Sequence, residues 1–459
     1  MNLTLEDLEK LKSVEIVNSQ YLKGKKISGV STDSRTVKAG NIFFALRGEK
    51  FDGHQFVPDV AARGVFAVVV DAQWSKNNPD LTGRMQSCAA IVPDTTKALG
   101  ELAALYRMKF SIPIIAVGGS NGKTTTKEMI SAVLKTKYSV LSTEGNLNNH
   151  IGVPQMIFRL TPKDDVAVLE LGTNHFGELK HLCSVVEPTH ALITNIGKEH
   201  LEFFGDEKGV SKEETELFRS VRTKGFAFIN VDDEHLLKAG KKLTRSMTYG
   251  SGATGEVRAT NIRITGLGQP IFDLVQKKKK KKSTIQLSVA GMHNISNALA
   301  AAAVGIKFKV PEKKILHALH RWTAASKRME IISRNGITIL NDTYNANPDS
   351  TLAALKTLQS IKIAGKKIVV LADMLELGEK AEHEHAKIGL AVSDLEFEYL
   401  LTFGLLSRFT HEASKLAFAE HFDSKEALIA SLKSQLSAGD AVLVKGSRGM
   451  KMEDVVAQL

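Results

Sequence analysis

One segment constrains the fold of this chain more than any other. The apolar run from Ile112 to Val117 leads directly into the glycine-rich turn Gly118–Gly122, which is followed by Lys123 and Thr124. Glycines let several backbone N–H groups converge on one phosphate, and the N-terminus of a helix adds a positive field. A lysine at this position reaches the outer phosphates of a nucleotide, and the hydroxyl that follows it can bind Mg²⁺. The segment therefore predicts a buried strand, a phosphate loop and a helix.

The residues after this loop support the prediction of a helix. Met129, Ile130, Val133 and Leu134 recur at the spacing of one helical face. The loop departs from the strict nucleotide-loop pattern because Val117 stands where that pattern has its first glycine, which leaves Gly-x-x-Gly-Lys-Thr. The alternative is a structural turn in which the lysine and the threonine are incidental. We expect binding of ATP or GTP.

Length and composition indicate a globular protein with several domains. At about 150 residues per domain, 459 residues suggest three domains. Apolar residues make up 43% of the chain, and no apolar run reaches the ~18–20 residues that span a bilayer. The first ten residues are polar and acidic rather than those of a secretory signal. Cys88 and Cys183 are too few for a disulfide framework, and we expect two small thiols and a cytoplasmic protein.

The basic charge of the chain has a local origin. Sixty-one Lys and Arg against 50 Asp and Glu give a net charge of +11, and six of these lysines form the unbroken run Lys277–Lys282. No aromatic residue interrupts the run, so it lacks the stacking groups of a nucleic-acid site. We expect a solvated loop or hairpin tip and no nucleic-acid partner.

The pattern along the chain divides it into three α/β regions, 1–107, 108–322 and 323–459. The first mixes short strands with turns and closes with a helix over Thr95–Met108. The other two alternate apolar runs with helical stretches, which is typical of a doubly wound, mainly parallel sheet. The predicted strands are Ile112–Val117, Val166–Leu171, Ala191–Ile196, Phe226–Ile229, Ile337–Leu340, Lys367–Ala372, Tyr399–Phe403 and Ala441–Val444.

Several ordered motifs resemble those of the Mur ligases, the ATP-dependent amide-forming enzymes of peptidoglycan synthesis. The resemblance covers nearly the whole chain. The motifs are Gly119-Ser-Asn-Gly-Lys-Thr-Thr-Thr-Lys127, Thr143-Glu-Gly-Asn-Leu-Asn-Asn-His-Ile-Gly-Val-Pro154, Leu169-Glu-Leu-Gly-Thr-Asn-His175, Asn195-Ile-Gly-Lys-Glu-His-Leu-Glu202, Gly291-Met-His-Asn-Ile-Ser-Asn-Ala298, Asn341-Asp-Thr-Tyr-Asn-Ala-Asn-Pro-Asp-Ser350, Leu371-Ala-Asp-Met-Leu-Glu-Leu-Gly-Glu379 and Val444-Lys-Gly-Ser-Arg-Gly-Met-Lys-Met-Glu453.

Within this family, the strings Tyr344–Ser350 and Lys445–Arg448 are most similar to the members that add D-alanyl-D-alanine to a UDP-N-acetylmuramoyl-tripeptide. The strings Gly29–Arg35 and Gly48–His54 resemble the UDP-sugar domain of the same group. The resemblance implies an N-terminal UDP-sugar-binding domain, a central ATPase domain and a C-terminal Rossmann-like ligase domain. It also implies that the tripeptide carboxylate becomes an acyl phosphate, which the amine of the dipeptide attacks.

The resemblance assigns the reacting centre to four residues. Lys123 and Thr124 serve the phosphates, and Glu170 and His200 resemble the family's Mg²⁺ ligands. Glu170 ends a predicted strand, where ligands gather in doubly wound folds. Its alternative is a helix cap, and the alternative for His200 is a structural histidine.

One position departs from the family, which usually has a carbamylated lysine after the histidine motif. Aligning the string Glu216–Phe218 with the family's Glu-Ile-Phe puts Glu214 at that position. Val210, Glu214, Leu217 and Val221 would share one helical face, and a carboxylate on an apolar face requires a partner. Glu214 is therefore expected to supply the charge of the carbamate. The alternatives are a surface glutamate, or a two-residue slip that makes Lys212 the modified lysine.

The resemblance also implies the residues that bind ATP and the other substrates. Some have structural alternatives: Asn294 could be a helix N-cap, Asn345 and Asn347 could be turn residues, and the serines and threonines after Val30 could form a turn. The nucleotide residues are Gly119, Ser120, Asn121, Gly122, Lys123, Thr124, Thr125, His293, Asn294, Asn297, Arg328, Asp342 and Asn345. The substrate residues are Ser31, Thr32, Ser34, Arg35, Asn146, Asn148, Asn149, Asn347 and Arg448.

Three other functions fit parts of the sequence. Another Mur ligase and a folylpolyglutamate synthase share the loop and the domain plan, although the folate enzyme lacks a UDP-sugar domain. A P-loop hydrolase or switch would leave the asparagine-rich motif of the last region unexplained. No coiled-coil heptads favour assembly, so a monomer is expected.

Overall fold

The computed structural model describes residues 1–49, 51–221, 223–252, 254–277, 282–324 and 326–459. Its strands form three sheets, and along the sequence helices alternate with many of these strands. This confirms the predicted three-part α/β architecture.

The first sheet has five strands in the order β1-β5-β4-β3-β2, and all neighbours are parallel except β1 and β5. Its strands are β1 (Glu15–Val17), β2 (Gly29–Ser31), β3 (Asn41–Phe44), β4 (Ala67–Asp71) and β5 (Cys88–Val92). The helices are α1 (Leu5–Glu9), α2 (Val57–Ala62), α3 (Ala72–Asn77), α4 (Pro79–Arg84) and α5 (Thr95–Arg107), with short 3₁₀ turns at Ser19–Tyr21 and Gly53–Phe56.

The second sheet has nine strands in the order β14-β13-β12-β11-β10-β9-β6-β8-β7. Its strands are β6 (Ile114–Gly118), β7 (Val140–Ser142), β8 (Val166–Glu170), β9 (His190–Ile193), β10 (Phe226–Asn230), β11 (Ser246–Gly250), β12 (Val257–Ile264), β13 (Pro270–Gln276) and β14 (Lys282–Gln286). The helices are α6 (Lys123–Lys135), α7 (Gly152–Ile157), α8 (Glu178–Val186), α9 (Leu201–Phe204), α10 (Glu207–Glu214), α11 (Glu216–Ser220), α12 (Glu234–Gly240), α13 (His293–Lys307) and α14 (Glu312–Arg321).

The third sheet has six strands in the order β15-β16-β20-β17-β18-β19, parallel except for the edge pair β15 and β16. Its strands are β15 (Glu330–Arg334), β16 (Ile337–Asp342), β17 (Lys367–Ala372), β18 (Tyr399–Phe403), β19 (Phe418–Phe422) and β20 (Ala441–Lys445). The helices are α15 (Pro348–Ser360), α16 (Ala381–Asp394), α17 (Ser407–Ala413), α18 (Lys425–Gln435) and α19 (Glu453–Gln458), with 3₁₀ turns at Gly378–Lys380 and Arg448–Met450.

The chain forms two compact units. The first contains residues 1–116, 138–172 and 177–189, and the second contains 117–137, 173–176 and 190–459. In the first unit, buried side chains of β3, β4 and β5 pack against α2. In the second unit, the central strands of the third sheet, β16, β20, β17 and β18, are buried on both faces, as is typical of strands covered by helices.

The predicted strands are present, most of them shifted by one to three residues at an end. Two of them, Lys367–Ala372 and Tyr399–Phe403, match in full. The α6 face predicted from Met129, Ile130, Val133 and Leu134 is fully buried.

The lysine run connects two antiparallel strands. β13 ends at Gln276, and Lys282 in β14 lies opposite Val275. The flanking strands fit the expected hairpin, but Lys278–Lys281 lie outside the described residues. Both cysteines are buried. Among the described residues, no helix is long and apolar enough to cross a membrane.

Candidate nucleotide and cation site

The phosphate loop depends on two glycines in left-handed backbone conformations. β6 ends at Gly118, Gly119 has a φ of +113°, and Gly122 has a φ of +77°. A Cβ on Gly119 would lie 2.7 Å from the backbone nitrogen of Thr194, so a larger residue would displace the neighbouring strand end. Helix α6 then begins at Lys123. The glycines thus shape the backbone, and the start of α6 supplies N–H groups that have no partner within the helix.

The segment after β9 supports the loop. Asn195 accepts a hydrogen bond from the Ser120 N–H through its carbonyl oxygen at 2.9 Å and one from the Asn121 N–H through its Oδ1 at 3.1 Å. The Gly197 N–H donates to the Ser120 Oγ at 2.8 Å. These contacts hold the loop in place before any ligand binds. The second unit therefore contains a preformed loop.

Lys123 lies at the centre of this loop. Its ammonium group donates to the carbonyl oxygens of Gly119 and Ser120, and its Nζ lies 3.1 Å from the Glu199 Oε2. Glu199 is 5% exposed. Sequence reasoning missed this glutamate; its place directly before His200 and two residues after Gly197 was the available signal. Thr124, the next residue of α6, is buried.

Glu214 is fully buried beside the same loop. Its Oε2 accepts a hydrogen bond from the Gly119 N–H at 2.7 Å. Burial raises the pKa of Glu214 to about 8, and the negative charge of Glu199 adds to this effect. Lys212, the alternative position, is exposed.

The predicted face of Glu214 assumed one continuous helix, but the structure has two. α10 ends at Glu214 and α11 begins at Glu216. The Thr215 hydroxyl donates to the Ser211 carbonyl oxygen at 2.7 Å, a bond that often bends helices. The expected face is nevertheless buried, because Val210, Glu214, Leu217 and Val221 are all at most 3% exposed.

The buried carboxylates provide donors that suit a divalent cation. Glu199 Oε1 and Glu214 Oε1 are buried and have no hydrogen-bond partner among the residues that the structure describes. Mg²⁺ prefers oxygen ligands and usually takes one or two carboxylates together with phosphate oxygens and water. In the part of the chain that the structure describes, no three His, Cys, Asp or Glu side chains have the geometry of a metal centre.

His200 lies at the start of α9 with a φ of +48°. Its Nδ1 lies 2.5 Å from the Glu376 Oε2. The hydrogen bond to His200 lowers the pKa of the Glu376 carboxyl. Left-handed backbone at a non-glycine residue costs free energy that the surrounding structure must offset.

Glu170 belongs to the first unit, at the end of β8. It is 3% exposed, and its Oε1 accepts a hydrogen bond from the Asn148 Nδ2 at 2.8 Å. Its backbone N–H donates to the Thr143 Oγ1 at 2.9 Å. Helix α8 begins only at Glu178, so the alternative of a helix cap is wrong.

The predicted base-contact residues form a hydrogen-bonded chain at the start of α13. Thr126 donates to the Asn297 Oδ1 at 3.0 Å, Asn297 donates to the Asn294 Oδ1 at 2.9 Å, and Asn294 donates to the Ala290 carbonyl oxygen at 2.7 Å. The helix begins at His293, so the alternative in which Asn294 is the N-cap is wrong. This chain links α13 to the phosphate-loop helix.

Asp342 and Lys445 end two neighbouring parallel strands and face each other in the register. The Lys445 Nζ lies 2.6 Å from the Asp342 Oδ2 and donates to the Asn345 carbonyl oxygen at 2.8 Å. The guanidinium of Arg328 stacks on the Tyr344 ring at 3.6 Å. Sequence reasoning missed the role of Lys445 as the partner of Asp342.

Asn347 has two roles. Its Oδ1 accepts the Ser350 N–H at 2.8 Å and caps α15, and its Nδ2 donates to the Asn121 Oδ1 at 2.9 Å. Asn347 is thus a helix N-cap and not a turn residue, and the second bond ties the third sheet's first helix to the phosphate loop. Asn345 accepts the Arg448 N–H at 3.3 Å.

Arg448, the predicted carboxylate clamp, is bound to a carboxylate of the protein. Its NH1 lies 2.7 Å from the Glu453 Oε1, which also accepts from the Lys327 Nζ at 3.0 Å. A substrate carboxylate would have to compete with Glu453 for this guanidinium.

The predicted UDP-sugar residues lie in the first unit, at the end of β2 and directly after it. Asp33 pairs with Arg35 at 2.8 Å, and this hydrogen bond lowers the pKa of Asp33 to about 2. Ser31 donates to the Asp33 carbonyl oxygen at 3.0 Å, and Thr32 accepts from the Gln155 Nε2 at 2.9 Å. The cluster therefore forms a turn, and the exposed Arg35 guanidinium presents a cation at its end.

The predicted sugar-peptide asparagines lie in the same unit. Asn148 contacts Glu170, as described above. Asn149 accepts the N–H groups of Ile151 and Gly152 at 3.1 and 2.9 Å, which supports the first turn of α7. The Asn146 carbonyl oxygen accepts the Asn148 N–H at 2.8 Å.

The structure thus gathers the predicted residues into two sets. The second unit contains the loop residues Gly119 to Thr125 together with His200, Glu214, Asn297 and Asn347. In the first unit, Glu170 lies with Asn148, and the Ser31–Arg35 turn contacts α7.

Comparisons with known proteins extend this description to the whole chain. Residues 26–107 match the catalytic domain of the Mur ligase family, 117–305 match the Mur ligase middle domain, and 327–448 match the Mur ligase glutamate ligase domain. A UDP-N-acetylmuramoyl-tripeptide–D-alanyl-D-alanine ligase of Bacillus subtilis is 34% identical over 99% of this chain and 98% of its own length. The chain belongs to the Mur ligase family.

Solved structures of Mur ligases have the same fold. A crystal structure of MurF from Acinetobacter baumannii superposes with a TM-score of 0.90 at 31% identity, covering 99% of this chain and 98% of that chain. The MurF ligase of Thermotoga maritima, solved in complex with ADP, gives a TM-score of 0.83 at 26% identity, covering 94% of this chain and 96% of that chain.

Proposed function

We propose that this Mur ligase joins D-alanyl-D-alanine to UDP-N-acetylmuramoyl-tripeptide and converts ATP to ADP and phosphate. The observation that carries the proposal is the preformed phosphate loop around Lys123, in a chain similar over 99% of its length to a ligase of that name. The ADP bound to the MurF of Thermotoga maritima supports ATP as the nucleotide. The product would be the UDP-linked pentapeptide, and the reaction would take place in the cytoplasm.

The chemistry requires an activated carboxylate, because direct condensation in water is unfavourable. The tripeptide carboxylate forms a bond to the γ-phosphorus of ATP, and the bond to the β-bridging oxygen breaks to release ADP. The dipeptide amine then bonds to the acyl carbon, the bond from that carbon to the phosphate oxygen breaks to release inorganic phosphate, and the nitrogen loses a proton to phosphate or water. Lys123 and the N–H groups at the start of α6 would offset the charge that develops on the phosphates.

We propose Thr124, Glu170 and His200, the ligands that the family resemblance implied, as protein ligands of a Mg²⁺ ion. A bound Mg²⁺ supplies Lewis-acid stabilisation of phosphate oxygens. Buried carboxylate oxygens without a partner beside the loop support a cation in this region.

Glu214 is proposed to supply the negative charge that a carbamylated lysine supplies in other members, once a bound cation displaces the proton that burial keeps on its carboxyl group. Its complete burial and its bond to the Gly119 N–H support this assignment, and the exposure of Lys212 argues against the alternative. Replacing each by alanine separates the two: Glu214→Ala should reduce kcat at least about 100-fold, while Lys212→Ala retains activity. An unimpaired Glu214→Ala enzyme would refute the assignment.

The remaining site residues and the domain limits are proposed as the sequence predicted them. The domains are 1–107 as the UDP-sugar-binding domain, 108–322 as the central ATPase domain and 323–459 as the C-terminal ligase domain. His293, Asn294, Asn297, Arg328, Asp342 and Asn345 would bind the nucleotide, and Ser31, Thr32, Ser34, Arg35, Asn146, Asn148, Asn149, Asn347 and Arg448 would bind the other substrates.

The test is phosphate release from ATP with the UDP-tripeptide and D-Ala-D-Ala present singly, together or not at all. The proposal expects release only when both are present, with one UDP-pentapeptide formed per phosphate by mass spectrometry. Release without either substrate would instead support a P-loop hydrolase. Lys123→Ala, which removes the ammonium group and keeps the glycines, serves as the inactive control.

A further inference from the structure

The motif Leu371–Glu379 contributes a segment that the proposed chemistry does not use. Residues 375–380, here called the docking segment, connect β17 to α16. The Glu202 N–H at the start of α9 donates to the Glu376 carbonyl oxygen at 3.1 Å. A Cβ on Gly378 would lie 3.1 Å from the Glu202 Cα, so the two backbones are closely packed.

Further contacts hold the docking segment against α9. Leu377 is 2% exposed and belongs to the same hydrophobic cluster as Leu201 and Phe204. The Lys380 ammonium group donates to the Gly205 carbonyl oxygen. The segment therefore covers α9 from its first residue to the glycine that ends it.

At the centre of this contact, the Glu376 carboxylate meets the His200 ring. The Glu376 Oε2 lies 2.5 Å from the His200 Nδ1. Both residues have left-handed backbones, with φ of +62° and +48°. Two non-glycine residues in this conformation, facing each other, indicate a geometry that the surrounding structure enforces.

The other end of the docking segment is fixed to the third sheet. The Leu375 N–H donates to the Ser447 Oγ at 2.8 Å, and the Met374 N–H donates to the His385 Nε2 at 3.0 Å. Just before them, the Asp373 carboxylate accepts the Ser407 N–H at 2.7 Å. The residues just before Glu376 are thus anchored to the third-sheet part of the chain.

An ionised carboxylate can only accept hydrogen bonds. The His200 Nδ1 bonded to it must therefore carry a proton, and in the neutral ring the lone pair is then on Nε2. Metal-binding histidines commonly have such a carboxylate on the other nitrogen, which fixes the tautomer and the orientation of the ring.

We propose that Glu376 is a positioning residue that holds His200 in the Nδ1–H tautomer and presents its Nε2 to the cation on the ATP phosphates. This inference rests on the proposed role of His200 as a cation ligand. Because Glu376 belongs to the third-sheet part of the chain, docking of that part onto α9 completes the cation site. The motif Leu371–Glu379 thus acquires a function in the ligase reaction.

The test measures Mn²⁺ affinity by electron paramagnetic resonance in the full chain with ADP bound. Loss of such a carboxylate partner typically weakens metal binding 10–100-fold, so Glu376→Gln should raise the Mn²⁺ dissociation constant at least about tenfold. Glu379→Gln, an exposed glutamate of the same motif, is the matched control and should leave it unchanged. Glu376 is 46% exposed, so the glutamine variant is expected to fold, which near-ultraviolet circular dichroism would verify.

A double-mutant cycle with His200→Ala shows whether Glu376 acts through the histidine. Glu376→Gln should have no further effect on Mn²⁺ affinity in the His200→Ala background. An equal weakening in both backgrounds, or no effect of Glu376→Gln in the wild-type background, would overturn the inference.

A second measurement does not depend on the cation. In ¹⁵N-histidine-labelled, metal-free protein, the ring signals of His200, assigned from their loss in His200→Ala, should report the Nδ1–H tautomer and should change in Glu376→Gln. A predominant Nε2–H tautomer in the wild type would overturn the inference. If His200→Ala leaves Mn²⁺ affinity unchanged, the proposed cation role of His200 is wrong, whereas the tautomer still decides whether Glu376 positions the ring.

Discussion

Replacing Glu214 by glutamine should change how the stability of the protein depends on pH. The ordinary pKa of this side chain is 4.5, and burial raises it to about 8 in the folded protein. Each pKa unit corresponds to about 1.36 kcal/mol, so the difference corresponds to about 5 kcal/mol. The glutamine keeps the size of the side chain and an oxygen that can accept the Gly119 N–H.

The sign of the effect follows from proton binding in the two states. Between pH 4.5 and about 8, the folded protein keeps the Glu214 proton and the unfolded chain has lost it. Stability therefore falls as the pH rises through this window, and the full loss is reached above pH 8. Glu214→Gln has no such proton, so it should gain stability relative to the wild type as the pH increases.

The assay is thermal unfolding of both proteins between pH 5 and 9, without nucleotide and with a chelator present. In a domain of 150–250 residues, 1 kcal/mol shifts Tm by roughly 2–4 °C. The difference in Tm between the variant and the wild type should therefore increase, in favour of the variant, by about 10 °C or more from pH 5 to pH 9. Glu207→Gln, an exposed position in α10, is the control. Parallel pH profiles for Glu214→Gln and the wild type would refute the reasoning.

Three further predictions concern other residues of the second unit. Burial lowers the pKa of His190 to about 4, so the wild type should lose up to about 3 kcal/mol as the pH falls from 6.5 to 4, and His190→Phe should remove this loss in acid-unfolding curves; an unchanged curve would contradict it. Gly119→Ala places a Cβ 2.7 Å from the Thr194 nitrogen, and we expect at least about tenfold weaker ATP binding by calorimetry, against which wild-type affinity would count. The Lys198 Nζ lies 2.9 Å from the Oε2 of the buried Glu384. Glu384→Leu should lower the free energy of unfolding by about 3 kcal/mol, measured as a lower Tm, because Lys198 loses its partner. Adding Lys198→Met should recover part of this loss, because no unpaired charge remains. No recovery in the double variant would show that the charge is not the cause.

Much of the fold was predictable because the relevant signals are local. The strand Ile114–Gly118 is buried along its whole length, and short apolar runs between helices report such strands directly. The helix face of Met129 and Val133 follows from spacing alone. The break at Thr215 was not predictable, because it depends on whether one hydroxyl bonds to the backbone four residues earlier.

The candidate site divides in the same way. The loop glycines and Lys123 were visible because one continuous segment carries both the shape and the charge. Glu199 was missed because its contact with Lys123 joins residues that are 76 positions apart. Lys445 and Asp342, 103 positions apart, meet only because their strands are parallel neighbours in the third sheet.

The sequence by itself determined the phosphate loop, the three α/β regions and the family, since each is encoded by consecutive residues or by ordered motifs. The tertiary structure alone decided which charges surround Lys123, that Glu214 rather than Lys212 is buried, and that Glu376 meets His200. These pairings depend on burial and on contacts between distant segments. Such contacts arise only when the sheets bring strand ends together, and burial then sets the pKa and the pairing of each group.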